Sequence, residues 1–165
     1  LAKFLTYGSA ELRARRISAF LRAIGFSEGS VSLDALQRCQ VVAEEDRIDM
    51  KFVWKDEHGR DAVIIIEAKF GHKVTEGQLS GYRATVKRVH RCAPVASILL
   101  TLDERVCASL KGKQRKLWTQ VNWRDFWLRF ERHRPAEQNP SLQMFLNTLW
   151  HRTGCLTQEN RYGHL

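Results

Sequence analysis

The sequence has no long apolar run, no glycine-rich phosphate loop and only four cysteines among its 165 residues. A membrane-spanning helix needs about 20 consecutive apolar residues, and no stretch reaches that length. Residues 1–12 also lack the apolar segment and the small-residue cleavage site of a secretory signal. The absence of a glycine-rich loop argues against binding of a nucleoside triphosphate. We therefore expect a cytoplasmic protein with no membrane partner.

The cysteines and histidines form no pattern that is typical of a zinc or iron–sulfur site. Cys39, Cys92, Cys107 and Cys155 contain no Cys-x-x-Cys pair, and the six histidines contain no His-x-His or His-x-x-x-His pair. Zinc and iron–sulfur sites usually depend on such closely spaced ligands. We expect free thiols, as in a reducing compartment.

The chain as a whole carries an excess of positive charge. There are 27 Lys and Arg residues against 18 Asp and Glu residues, which gives a formal charge of +9. This excess favours a polyanionic partner such as nucleic acid, although an ordinary soluble protein can also be basic. With 44% hydrophobic residues, the chain can bury the core of one globular domain.

Hydrophobic periodicity and capping residues predict an α/β protein with a single domain over residues 1–165. Helices are predicted over 9–24, 33–36, 75–91, 103–110, 122–133 and 139–152. Strands are predicted over 39–43, 48–54, 62–70, 95–102 and 117–121. A hairpin loop is predicted over 55–61 and a basic loop over 111–116. The strand over 62–70 is apolar on both faces, which is typical of a central strand. The order α-β-β-β-α-β predicts a mixed four- to five-stranded central sheet flanked by helices. This core spans about 9–121, and extra C-terminal helices span about 122–153.

Two local patterns concern the helices. Thr75 and Gln78 match a capping box, which predicts that a helix begins at Thr75. Trp123, Phe126 and Phe130 recur at helical spacing, which favours packing in the core over stacking on bases.

The strand over 62–70 ends in Glu67-Ala68-Lys69, and Asp49 opens the alternating strand over 48–54. A carboxylate and an ammonium at positions i and i+2 lie on one face of a strand. Burial of an unpaired charge costs several kcal/mol unless the charge is paired or bound to a metal. We therefore predict that Asp49, Glu67 and the Ala68 carbonyl bind a divalent metal such as Mg²⁺, with Lys69 beside a water that attacks a phosphodiester. The alternatives are an exposed ion pair of Glu67 with Lys69 and a strand-edge carboxylate at Asp49.

Asp49, the Glu67-Ala68-Lys69 triplet and the later Gln78-x-x-x-Tyr82 element together resemble the PD-(D/E)xK nuclease superfamily, and the last element is similar to its RecB-like branch. The resemblance implies a restriction-endonuclease-like core. It also implies that Asp49 and Glu67 hold Mg²⁺ or Mn²⁺ and that Lys69 serves the nucleophilic water. The family's proline is absent, since an isoleucine precedes Asp49.

The resemblance implies three further site residues, each of which has a local alternative. Glu11 on the first helix matches an acidic residue that often joins the site. However, a carboxylate in the first turn also interacts favourably with the helix dipole and needs no other role. Gln78 would support the catalytic lysine, but a capping glutamine needs no catalytic role. Tyr82 lies on the same helical face as Gln78 and would touch DNA, but it also fits the apolar stripe.

The sequence thus predicts a metal-dependent nuclease that hydrolyses DNA phosphodiester bonds, in phage defence, mobile-element biology or DNA repair. The alternatives are a Holliday-junction resolvase-type endonuclease, which would need a homodimer, and a non-catalytic DNA-binding or assembly module. RNA stays open as a substrate, and an ATPase or helicase stays open as a partner.

Phosphate contacts are expected from basic side chains without regard to base sequence. The residues predicted to bind nucleic acid are Lys73, Tyr82, Arg13, Arg16, Lys87, Lys113 and Arg115, with Arg88, Arg91, Lys111 and Lys116 as further candidates. For each basic residue the alternative is a solvated surface position.

Overall fold

The computed structural model describes residues 1–70, 74, 77–90, 95–102, 110, 112–137, 139–148 and 151. Its helices are α1 (Ala2–Thr6), α2 (Ala10–Ala23), α3 (Leu33–Gln37), α4 (Gln78–Val89), α5 (Lys113–Leu117) and α6 (Trp123–His133). Its strands are β1 (Gln40–Glu45), β2 (Ile48–Lys55), β3 (Asp61–Lys69), β4 (Val95–Thr101) and β5 (Thr119–Asn122). Residues 140–148 are also helical. None of the described helices is long and apolar enough to cross a membrane.

The five strands form one mixed sheet in the order β1-β2-β3-β4-β5. The pairs β1–β2 and β2–β3 are antiparallel, whereas β3–β4 and β4–β5 are parallel. A parallel pair requires a crossover connection, and α4 lies in the connection from β3 to β4. The predicted mixed sheet is confirmed, and β3 is its central strand.

Helices cover both faces of the sheet. α2 and α6 pack on one face, where Phe20 contacts the rings of Phe52 and Phe126 at centroid distances of 5.0 and 5.1 Å. α4 packs on the other face, where Leu79 joins Ile65 in a second buried cluster. Successive residues of β3 alternate between the two clusters, which is why its sequence is almost wholly apolar.

The predicted helix starts at three positions are confirmed by side-chain caps. Ser9, Asn122 and Asn139 each accept a main-chain N–H of the following turn through a side-chain oxygen, at 3.2, 2.8 and 3.1 Å. Such a cap satisfies one of the N–H groups that a helix leaves without an internal partner. The aromatic stripe of α6 lies in the core, with Phe126 and Phe130 fully buried.

Three helices differ from the prediction. α1 was not predicted, because five residues are too few to show a helical period. Residues 113–116, expected as loop, and residue 117, expected to begin a strand, form α5. α4 begins at Gln78, and Gly77, at φ +78°, is its N-cap without a side-chain cap bond. Thr75, the predicted cap, lies outside the described residues, as do residues 103–109 of another predicted helix.

Strand β2 buries the charged side chain of Lys51. The alternation of apolar and polar residues in this strand predicts that Lys51 lies on the more exposed face. Met50 and Phe52 lie in the larger cluster as predicted, whereas Ile48 packs in the cluster under α4. Lys51 is 6% exposed and forms an ion pair with Glu45. Alternation predicts which residues share a face, but only the packing of a helix decides whether that face is covered.

Cys39 is a buried free thiol. Burial raises the pKa of this thiol to about 12, so it is protonated at neutral pH. The other three cysteines, with their predicted free thiols, lie outside the described residues.

Candidate active site

The pairing of β2 with β3 brings two carboxylates together. Met50 is opposite Ile66, and the same register one residue further places Asp49 opposite Glu67. The main-chain N–H of Ala68 donates to Oδ2 of Asp49 at 2.7 Å, which holds this carboxylate against the end of β3. Asp49 is exposed, whereas Glu67 is 2% exposed. The site therefore has one carboxylate open to solvent and one inside the protein.

The two oxygens of the Glu67 carboxylate differ in their contacts. Oε1 is 2.5 Å from the ammonium of Lys69 and accepts the side-chain amide of Gln78 at 2.9 Å. Oε2 is buried and has no hydrogen-bond partner among the described residues. A buried acceptor without a partner costs about 1–3 kcal/mol, so the site is incomplete without a further positive or donor group.

The pKa of Glu67 lies above its ordinary value. Burial is the main cause, and the negative charge of Asp49 acts in the same direction, while the hydrogen bond from Lys69 lowers the pKa in part. The ionised form of Glu67 is therefore disfavoured at this position.

A divalent metal ion fits these donors. Mg²⁺ and Mn²⁺ prefer oxygen ligands, and Mg²⁺ is usually held by one or two carboxylates together with water and substrate phosphate. Asp49 and Glu67 supply such a pair, and Glu67 Oε2 has no competing donor among the described residues. Within those residues there is no group of three or more His, Cys, Asp or Glu side chains that could hold a metal. A site built here would therefore rest on two carboxylates.

Helix α4 supports the buried carboxylate from its first turn. The Gln78 amide that donates to Glu67 also donates to the hydroxyl of Tyr82 at 2.6 Å. Tyr82 is 7% exposed and packs in the cluster under α4, as the core alternative required. The Gln78 side chain therefore contacts Glu67, as the predicted supporting role requires, while its predicted capping partner Thr75 lies outside the described residues.

A family model described as the PD-(D/E)XK nuclease superfamily matches residues 12–148. The chain belongs to this superfamily. The match includes β2, β3 and α4, and hence every side chain of the carboxylate cluster. No curated protein and no solved structure matches the chain. The mixed sheet flanked by helices is consistent with the restriction-endonuclease-like fold, whereas the RecB-like branch stays a prediction.

In this superfamily member, Glu11 forms an exposed ion pair on its own helix. Its side chain is 66% exposed, and its Oε1 lies 2.7 Å from Arg15 one turn later. It is on α2, which packs on the opposite face of the sheet from α4. This position of Glu11 agrees with the local alternative, in which a carboxylate in the first turn interacts with the helix dipole and with a basic residue four positions later.

Arg16 is not available to bind nucleic acid, and this prediction is corrected. It is 1% exposed, its guanidinium lies 4.3 Å from the ring centroid of Phe4, and its Nε donates to Glu137 at 2.7 Å. The same group donates to the Phe4 carbonyl at 2.8 Å. The spacing of α2 placed this residue on the polar face, but α1 and residues 135–137 cover it.

The other predicted nucleic-acid contacts have varied positions. Arg13 is half-buried and donates to the carbonyl of Gln37 at 3.0 Å, which ties α2 to α3. Lys87, Lys113 and Arg115 are exposed on α4 and α5. Lys73, Arg91 and Lys111 lie outside the described residues.

Two features of the site could not be read from sequence spacing. One is the buried cation Lys51, two residues after Asp49 on the same strand face and already paired with Glu45. The other is the turn between β1 and β2, where Asp46 and Arg47 both have positive φ. Two-residue hairpin turns of this kind usually contain glycine or asparagine, and neither residue occurs at these positions, so the sequence did not predict the turn.

Proposed function

We propose that this protein is a Mg²⁺- or Mn²⁺-dependent deoxyribonuclease that hydrolyses phosphodiester bonds. The observation that supports it most is the buried, partnerless Oε2 of Glu67 beside the Asp49 carboxylate, with an ammonium on the other oxygen. Most buried polar side-chain atoms have a hydrogen-bond partner, so this oxygen is open to a further ligand. Membership of a nuclease superfamily and the charge of +9 support a polyanionic substrate.

Each side chain has a distinct role in the proposed reaction. Asp49 and Glu67 would hold the metal, with the Ala68 carbonyl as a further proposed ligand. When bound, a divalent cation supplies Lewis-acid stabilisation of the charge that develops on the phosphate. Lys69 would orient the attacking water and offset phosphate charge, because its ammonium is anchored at Glu67 and only 14% exposed. Gln78 would keep the Glu67 carboxylate in one orientation.

The test is cleavage of linear, circular, branched and single-stranded DNA, and of RNA, with Mg²⁺, with Mn²⁺ and with a chelator. Glu67→Ala and Lys69→Ala should abolish cleavage while the proteins stay folded and bind DNA. Matched controls are Glu57→Ala and Lys3→Ala, since both residues are exposed and neither belongs to the site. These controls should cut like the wild type.

Three results would change the proposal. Full activity of the Glu67 or Lys69 variant would refute it. A wild-type protein that binds DNA but never cuts with either metal would favour a non-catalytic binding module. Strong preference for branched DNA by a dimer would favour a junction resolvase.

A further inference from the structure

A cleft of about 620 Å³ lies directly beside the Gln78–Tyr82 pair. One wall is the turn between β1 and β2, and the other is the outer surface of α4. The lining includes Asp46 and Arg47 on the turn and Gln78, Gly81, Tyr82 and Arg88 on α4. Gln78 lines the cleft and also contacts Glu67, so one side chain connects the cleft to the carboxylate cluster.

The cleft has one guanidinium on each wall. Arg47 and Arg88 are both exposed, and neither forms an ion pair with a carboxylate of the described residues. Asp46 is the one acidic residue among the described lining. Two unpaired cations facing one groove favour an anionic occupant.

Two lining positions hold a residue that is not the most stable choice for the fold. Asp46 and Arg47 form a two-residue hairpin turn, since Glu45 pairs with Ile48, and their φ angles are +56° and +64°. Type I′ turns favour Asp-Gly there, so glycine at position 47 would relieve strain. Gly81 lies inside α4, where alanine is the better helix former, and a Cβ added there meets nothing within 4 Å.

We infer that this cleft binds the phosphate backbone of the DNA strand being cut, with Arg47 and Arg88 as its phosphate-binding residues. The inference rests on the proposed nuclease function. Gly81 has no side chain, so the DNA backbone can approach the middle of α4 closely. Arg47 acts near the cut, because it precedes Asp49 by two residues.

The length of α4 sets the reach of Arg88. From Gln78 to Arg88 the helix advances about 15 Å. Arg88 therefore contacts a phosphate further from the scissile one than the phosphate that Arg47 contacts. As the DNA is shortened on that side of the cut, the effect of losing Arg88 should disappear before the effect of losing Arg47.

The test uses the full chain with Arg47→Gly, Arg88→Ala and Gly81→Ala, and with Arg129→Ala as the matched control. Arg129 is exposed on α6, on the far face of the sheet. Affinity is measured by anisotropy of labelled single-stranded and duplex oligonucleotides in chelator, over a range of salt. Cleavage is measured with oligonucleotides of graded length.

We expect each arginine variant to bind about eightfold more weakly at about 0.1 M salt, with the difference vanishing near 1 M, because one fewer counterion is released. Arg129→Ala should match the wild type. Arg47→Gly and Gly81→Ala should keep or raise Tm, so that weaker binding cannot be attributed to unfolding. Gly81→Ala should also weaken binding, because its methyl group enters the groove.

Wild-type affinity and salt slope in both arginine variants would overturn the inference, and the nuclease proposal would stand as long as Glu67→Ala abolishes cleavage. Unchanged affinity of Gly81→Ala would overturn the close approach to α4. A protein that never cuts, yet needs both arginines to bind, would overturn the nuclease function and leave the cleft as a binding site.

Discussion

The side-chain amide of Gln78 donates to Oε1 of Glu67 at 2.9 Å and joins the first turn of α4 to the end of β3. The same nitrogen donates to the Tyr82 hydroxyl at 2.6 Å. With one oxygen held in this way, the carboxylate cannot rotate freely, and Oε2 stays directed away from Gln78. A residue on a helix thus determines how a carboxylate on the central strand is presented.

Replacement of Gln78 by alanine should lower kcat by about 10–100-fold, since residues that orient metal ligands have effects of this size. DNA affinity should change little, because Glu67 and Lys69 stay in place. Steady-state cleavage with Mg²⁺ gives kcat and KM separately. The matched control is Gln143→Ala. The Gln143 amide donates to the side chain of Asn147 on the surface, away from the carboxylate cluster. Equal kcat values for the two variants would contradict a positioning role.

Mg²⁺ or Mn²⁺ should raise Tm of the wild-type protein in the absence of DNA. A ligand at 100 times its Kd stabilises the folded state by about 2.7 kcal/mol. Asp49→Asn and Glu67→Gln should each remove most of this effect, and a chelator should reverse it. Differential scanning fluorimetry measures the shift, with Glu57→Gln as the exposed control. A metal-induced rise in Tm that persists when Asp49→Asn and Glu67→Gln are combined in one protein would place the metal elsewhere.

Arg16→Ala should destabilise the fold by about 3–5 kcal/mol, because it leaves the Glu137 carboxylate without its buried partner. Arg15→Ala is the control, since its pair with Glu11 is exposed on both sides and contributes about 0.5 kcal/mol or less. Urea unfolding measures both. A small effect of Arg16→Ala together with weaker DNA binding would restore the phosphate-binding interpretation.

Asp61 should make stability depend on pH in the acidic range. The hydrogen bond from His90 at 2.9 Å, with Lys55 at 2.7 Å, holds the pKa of Asp61 below its ordinary value. The folded state therefore binds this proton less readily than the unfolded chain. The stabilisation is complete well above about pH 4 and is lost as pH falls through the lower folded pKa.

Replacement of Asp61 by asparagine should lower Tm at pH 7 and lower it less at pH 3. The cost at pH 7 should be about 1 kcal/mol or less, because the pair lies near solvent. Thermal melts at the two pH values compare the variant with the wild type. An equal or larger difference at pH 3 would contradict the assigned sign.

The sequence located the carboxylates and the lysine of the site because the relevant signals are local. Glu67 and Lys69 follow an apolar run at strand spacing, and Asp49 opens an alternating strand. These side chains are adjacent in the structure, while their catalytic roles stay proposals. The hairpin and the central strand were predictable for the same reason.

The errors come from contacts between residues far apart in the chain. Arg16 and Glu137 are 121 residues apart, and no local pattern shows that one will bury the other. Glu11 matched a family position and pairs with Arg15 in the structure, and its metal role stays a prediction. The start of α4 was misplaced because a capping pattern at Thr75 competed with the positive φ of Gly77.

The sequence by itself determined the order of the strands and of the longer helices, the central strand and the charged residues at its end, because periodicity and capping depend on neighbours in the chain. Only the tertiary structure decided which polar groups are buried together. Gln78 meets Glu67, and Lys51 meets Glu45, when the helix and the sheet pack. Burial makes each unpaired polar atom costly, so the partnerless Oε2 of Glu67 becomes informative only in the folded protein.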